Sequence, residues 1–256
     1  MLSLSDKSKT SDQNNQGNIL RILELIPQEF GNLVSALVDV LPNYYVDPES
    51  IAGMLARLGK NAAAEKLRTK IPEVKKIRSG DIGEVLATDF IEESTNYSVP
   101  IRKLRWRDHR NMPMRGDDVI GVLVNHEEQT IKFLKAEAKS YKALGRKVLN
   151  EAREELDLDN GLPAPHALGF VAERLREIGN QTLADLIEKV QLVDGIETNQ
   201  VEHLLFTFTA SPATLQKEAF ETYDGNIKQI SVGFRVKDHQ ELIANVYQGV
   251  IDGLNN

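Results

Sequence analysis

A mixed α/β sheet covered by helices is the fold class this sequence predicts, and three observations carry it. The last quarter alternates strand and helix periods, the middle holds a β-hairpin over 116–139, and the remaining segments space their apolar residues as helices do. Residues 1–17, rich in Ser, Asn, Gln and Lys, are expected to form a disordered tail. Ile19, Leu20, Ile22, Leu23 and Ile26 then recur at helical spacing, as do the apolar residues of 30–41. Shorter helices are expected over 48–58 and 62–70, closed by Gly59 and Pro72. These predict an N-terminal helical extension, residues 18–75, on a main domain of residues 76–256. A helix over 81–93 and a strand over 98–106 come next, followed by a basic loop through Pro113. After the hairpin, Leu144, Val148, Ala152 and Leu156 mark a helix face, and 161–165 is a break. Helices over 167–178 and 182–190 precede a closing strand-helix-strand-helix run over 202–209, 213–220, 230–236 and 240–254.

Composition narrows the function classes. None of the 256 residues is cysteine, which excludes disulfides, thiolate metal sites and cysteine nucleophiles and agrees with a reducing cytosol. No apolar run approaches the roughly 18 residues of a membrane span, and residues 1–17 are polar rather than signal-like, so a soluble cytoplasmic protein is expected. The net charge is −7, but it is unevenly spread: residues 98–147 carry 12 Lys/Arg against 6 Asp/Glu, while 148–256 carry 8 against 18. A local basic cluster is the footprint of a phosphate-backbone binder, and equally of a solvated basic face balanced by an acidic one. Scattered histidines (109, 126, 166, 203, 239) hold no pair at zinc-ligand spacing, and no Walker-type phosphate loop is present. Trp106 stands among arginines; a lone tryptophan there is more often core than a platform for stacking a base.

The most informative stretch is Gly116 to Lys139, GDDVIGVLVNHEEQTIKFLKAEAK. With the turn centred on His126-Glu127-Glu128-Gln129, Asn125 faces Thr130, and counting back places Asp118 opposite Glu137. Opposed like charges in an antiparallel pair destabilise it, so something must compensate. Glu137 and Lys139 are two apart and share a face with Asp118, a set that suits a hard cation held through oxygen beside a cationic group. A turn one residue off centre would select Asp117 instead. A third acid, Glu84, lies on a helix face of small residues (Gly80, Gly83, Ala87) that would let a sheet end approach; Asp81 and Glu84 also fit a capping box that merely starts a helix. Lys139 could equally be one half of a surface ion pair contributing about 0–1 kcal/mol.

The order Glu84, then Gly116-Asp117-Asp118-Val119-Ile120, then Glu137-Ala138-Lys139 resembles the PD-(D/E)xK nuclease superfamily. The longer stretches GDIGEVLATDFI, KLRWRDHRNMPMRGDDVIGV and KAEAKS resemble the HamA family, nuclease components of the two-gene Hachiman antiphage defence system. The resemblance implies a restriction-endonuclease-like fold. It implies that Asp118 and Glu137 ligate Mg²⁺ or Mn²⁺, that the main-chain carbonyl of Ala138 is a third oxygen ligand, and that Glu84 contributes directly or through water. Lys139 would orient or help deprotonate the attacking water and stabilise charge on the phosphate. Gly116-Asp117 stands where the superfamily name has proline, which keeps the choice of aspartate open. DNA is the implied substrate and a HamB-like helicase the implied partner; a non-cutting helicase accessory and an RNase are the competing readings. Arg102, Arg105, Arg107, Arg110, Arg115, Lys135, Lys142 and Arg146 are the expected DNA contacts, able to grip a backbone but not to specify a base sequence.

Overall fold

The computed structural model describes residues 1–125 and 127–255; His126, expected in the hairpin turn, lies outside them. The molecule is an α/β structure built on one six-stranded mixed sheet, consistent with a restriction-endonuclease-like fold. Its strands are β1 (Ser8–Asn15), β2 (Asn18–Leu25), β3 (Val119–Asn125), β4 (Thr130–Tyr141), β5 (Val201–Thr209) and β6 (Gln229–Arg235), in the order β1-β2-β6-β5-β4-β3. The inner four run parallel, and each edge is closed by an antiparallel hairpin.

Helices cover both faces. On one, α1 (Phe30–Tyr45), α4 (Lys75–Ser94) and α9 (His239–Gly253) pack Leu33, Leu37, Ile82, Leu86, Phe90, Leu242 and Val246 over Leu134, Ala136, Phe206, Phe208, Val232 and Phe234. On the other, α5 (Arg146–Asp157), α6 (Pro165–Glu177), α7 (Gln181–Lys189) and α8 (Thr214–Glu221) cover Ile120, Phe133, Val201, Leu205, Leu20 and Ile22. Two short helices, α2 (Pro48–Leu58) and α3 (Lys60–Lys70), follow α1; Asp47 caps α2 by accepting from the Ser50 N–H at 3.0 Å. No helix among the described residues is long and apolar enough to cross a membrane.

The N-terminal expectations are corrected. Residues 1–17 are not a disordered tail: Leu2 and Leu4 are buried, the Leu2 N–H donates to the Asp89 carboxylate at 2.9 Å, and residues 8–15 form an edge strand. Edge strands need no apolar side chains because pairing is through the backbone, so a polar strand reads like disorder. Residues 18–25 are a strand rather than a helix, and they extend the main sheet through β6. Leu20 and Ile22 face one helical layer and Leu23 the other, and burial on both faces imitates helical spacing. The strand expected over 98–106 reduces to one bridge, Ser98 to Val122, followed by a 3₁₀ turn at Lys103–Trp106. The helix expected from residue 81 begins at Lys75, so Asp81 lies inside α4 and the capping-box reading of Asp81 and Glu84 lapses.

Candidate functional site

The hairpin register sets the site. Asn125 pairs with Thr130 and Val119 with Ala136, so Asp118, one step further, stands opposite Glu137 as the count from the turn requires. Asp118 Oδ2 accepts the Ala138 N–H at 2.9 Å, which fixes its carboxylate at the mouth of the hairpin. The structure also separates the two aspartates. Asp117 Oδ2 accepts the Ala164 N–H at 2.8 Å, and its Oδ1 lies 3.7 Å from the buried Lys135 ammonium. Asp117 is a tie to the loop before α6, and Asp118 is the one left to the site.

Helix α4 brings Glu84. A Cβ at Gly83 would lie 3.2 Å from the Ser140 Cβ, so the missing side chain lets α4 cross tightly against the end of β4. Glu84, Asp118, Glu137 and Lys139 consequently line one cavity of about 820 Å³, together with Lys75, Lys76, Arg78, Lys142 and His239. The four residues picked out by spacing and resemblance are thus brought together.

Sequence reasoning missed one central group. Lys103 places its ammonium 3.7 Å from Asp118 Oδ1 and 4.0 Å from Glu84 Oε2 and donates to the Asp117 carbonyl at 2.9 Å. The only signal was its place in the basic segment, where a 3₁₀ turn rather than a strand aims it inward. Lys139 pairs with Glu137 at 2.5 Å. His239 and Ser140 were also missed. Ser140 Oγ bonds Ser79 Oγ at 2.8 Å and lies 3.1 Å from His239 Nε2, and the imidazole packs on Phe208. Burial pushes His239 down to about 4, the Phe208 backbone opposing this and Lys142 adding to it, so it is neutral at physiological pH.

Charge is unbalanced among the acids. Burial pushes Glu84 up to about 8, with Lys103 opposing and Asp118 reinforcing the rise. Glu137 is likewise pushed up to about 8 by burial and by Asp118, against the pull of Lys139. Burial works against the charge of Lys103 and Lys139, yet the surrounding carboxylates hold both above the ordinary lysine value, so both are ammonium ions. Among the described residues no three of His, Asp and Glu stand close enough to hold a metal as they are placed. The donor set nevertheless fits a hard divalent cation in kind: Glu84, Asp118 and Glu137 line one cavity, and burial pushes two of them toward the protonated form, which a divalent charge would reverse.

Two expected DNA contacts are corrected. Lys135 is 2% exposed, its ammonium donating to the Leu158 and Leu162 carbonyls at 2.8 and 3.1 Å. Arg107 is 5% exposed and forms a two-pronged pair with Asp81, which also accepts from the Tyr45 hydroxyl at 2.7 Å. A strand lysine and a loop arginine look exposed in sequence, but Asp117 and Asp81 draw them inward. Arg102 pairs with Glu92 and lies over Tyr44, Arg105 holds Asp47 and the Asn43 carbonyl, Arg110 holds Glu73, and Arg146 pairs with Glu218. Arg115 and Lys142 are exposed on cavity walls beside Asp118.

A family profile described as HamA matches residues 2–250. The chain belongs to the HamA family. A curated relative, "Hachiman protein HamA" of Bacillus cereus, is 29% identical over 120 residues. That alignment spans 47% of this chain and 41% of the relative's length, so the likeness is to part of each, while the family match runs through the whole sheet.

Proposed function

We propose that this chain is a metal-dependent nuclease effector of the Hachiman antiphage defence system, of the PD-(D/E)xK type, hydrolysing DNA phosphodiester bonds under the control of a HamB-like helicase. The observation that carries this reading is the convergence of Glu84, Asp118, Glu137 and Lys139 on one cavity rimmed by lysines and arginine. Membership of the HamA family and a relative named for the Hachiman system supply the biological setting.

Asp118, Glu137, Glu84 and the Ala138 carbonyl would hold Mg²⁺ or Mn²⁺, which when bound supplies an activated water and stabilises negative charge developing on the phosphate. The protein's own groups do the rest. Lys139 is cationic and so acts on a phosphate oxygen by electrostatic stabilisation rather than as a base. The Ala138 N–H orients Asp118, leaving Oδ1 toward the cavity and Lys103. Lys103 supplies the charge that allows Glu84 and Asp118 to stand near one another. Lys75, Lys76, Arg78 and Lys142 offer a backbone grip on either side.

Purified protein, alone and with the helicase, is expected to degrade DNA in Mg²⁺ or Mn²⁺ and to stop in EDTA. Glu137→Ala and Lys139→Ala should each lose at least a hundredfold in rate while keeping the far-UV circular dichroism of the parent. Unchanged activity in both variants would sink the site. Failure of the free chain and of the complex to cut any DNA would leave the non-cutting accessory reading, and preferential cleavage of RNA would leave the RNase.

A further inference from the structure

Asp118 has a cavity on each side. The second, about 720 Å³, shares Asp118, Arg107 and Pro113 with the first; Lys103, Asp117, Arg115 and His166 also line it, but one side of it is apolar and aromatic. Its floor is apolar, from Ile101, Ile120 and Val171, and its wall is aromatic. Trp106 and Phe170 meet edge to face with centroids 6.2 Å apart. Glu177 fixes the indole by accepting from Nε1–H at 3.2 Å, and the Arg174 guanidinium lies 5.3 Å over the Phe170 ring. Beside the second cavity, the Gly116 backbone at φ +82° lies so near α6 that a Cβ would stand 2.7 Å from His166 Nε2.

We propose that this second cavity receives one unpaired nucleobase of the strand whose phosphate lies at Glu84, Asp118 and Glu137. The inference rests on the nuclease reading and deepens it by naming the substrate class, single-stranded or locally unpaired DNA. The two cavities divide a nucleotide by its chemistry. A phosphate requires cations and water, which the lysine-rimmed cavity offers; a base requires a π face and an apolar bed, which Trp106, Phe170 and the floor offer. Asp118, proposed to hold the metal at the cut, lines both cavities, so a base in the second would belong to a nucleotide adjoining the cut. In a stacked duplex that base is held by its neighbours and cannot enter sideways; on a single strand it costs little to turn. The exposed Arg115 at the rim complements the strand that would carry the base, whereas Arg174 is held by Glu173 and Glu177.

Trp106 is the chain's only tryptophan, so its emission reports on this cavity directly. The full chain, with cleavage blocked by Glu137→Gln, is titrated with a short mixed-sequence DNA strand, the same strand carrying abasic sites, its duplex, and its RNA counterpart. The intact DNA strand is expected to quench Trp106. The abasic strand, with the same phosphates, should bind roughly tenfold more weakly by anisotropy and leave Trp106 unquenched. Ala167→Phe, which fills the cavity, should bring the intact strand down to the abasic affinity. Equal binding and equal quenching by intact and abasic strands would overturn the proposal, as would quenching by the duplex at the same affinity, or stronger quenching by RNA. The intact-versus-abasic comparison needs no altered cavity, so poor folding of Ala167→Phe would not decide it. Cleavage without base discrimination would remove the cavity proposal and keep the nuclease; base discrimination in a chain that never cuts would do the reverse.

Discussion

Asp117 and Asp118 are adjacent in sequence and opposite in employment, and the contrast makes a prediction at the scale of single atoms. Asp118→Asn should abolish metal-dependent cleavage with little change in melting temperature, because its carboxylate faces the cavity. Asp117→Ala should leave the buried Lys135 ammonium with its two carbonyl partners but no countercharge, costing roughly 3 kcal/mol. Its loss of activity should follow stability and be recovered by cooling; the reverse order would mean that the hairpin presents the other aspartate. Glu84 and Glu137 make a second prediction. Both are held at about 8 in the folded chain against an ordinary 4.5, so between those values the folded state keeps protons that the unfolded state has released. Their contribution to stability is therefore greatest in mild acid and falls as pH rises toward about 8. A divalent cation favours the charged carboxylates and reverses the loss. The rise in melting temperature on adding Mn²⁺ should thus grow with pH across this window and vanish in Glu84→Gln/Glu137→Gln. A Mn²⁺ effect that shrinks as pH rises would contradict the assignment of these acids as ligands.

Among elements, the crossing of α4 over the end of β4 decides whether Glu84 reaches the site. Gly83→Val would drive a branched side chain into the space that Ser140 Cβ closes to 3.2 Å, prising the helix outward at a cost of about 1–3 kcal/mol. Cleavage should fall further than stability does, since Glu84 moves with the helix; Gly83→Ala should do the same more weakly. Thermal melts and rates measured on the same preparations check this, and rates that merely track stability would show that Glu84 is dispensable. How far each element was legible follows from what surrounds it. The β3–β4 hairpin was readable to the residue because a short turn between two strand-forming runs fixes the register. Helices α2, α3, α5, α6, α7 and α9 carried their own periodicity. Strand β1 was not readable because its order comes mainly from backbone pairing, with one exposed Asp12–Arg21 pair, and β2 was not because burial on two faces hides a period of two. Of the site, the acids and Lys139 lie in local motifs, whereas Lys103 is brought in by a 3₁₀ turn and His239 from the far end of the chain. Nothing local marks either.

Across the whole molecule, the net charge of −7 conceals where positive charge is free to act. Much of the basic segment is occupied within the fold: Arg102 with Glu92 and Tyr44, Arg105 with Asp47, Arg107 with Asp81, Arg110 with Glu73. Exposed Lys75 and Lys76, which lie before the basic segment, instead stand on the wall of the acid-bearing cavity with Arg78 and Lys142. Counterion release then distinguishes the two sets. If about four phosphates are neutralised at this cavity, the affinity for single-stranded DNA should fall with salt on a log-log slope of about −3. Lys75→Ala/Lys76→Ala should flatten that slope by about 1 and leave the melting temperature nearly unchanged, since exposed cations without close partners contribute little to stability. Arg102→Ala and Arg105→Ala should do the opposite, lowering the melting temperature through lost packing and ion pairs while leaving the slope as it was. Salt titrations of the four proteins on one oligonucleotide separate the outcomes. A slope that flattens with Arg102 and Arg105 but not with Lys75 and Lys76 would move the DNA path off the acid-bearing cavity, and with it the phosphate from Glu84, Asp118 and Glu137.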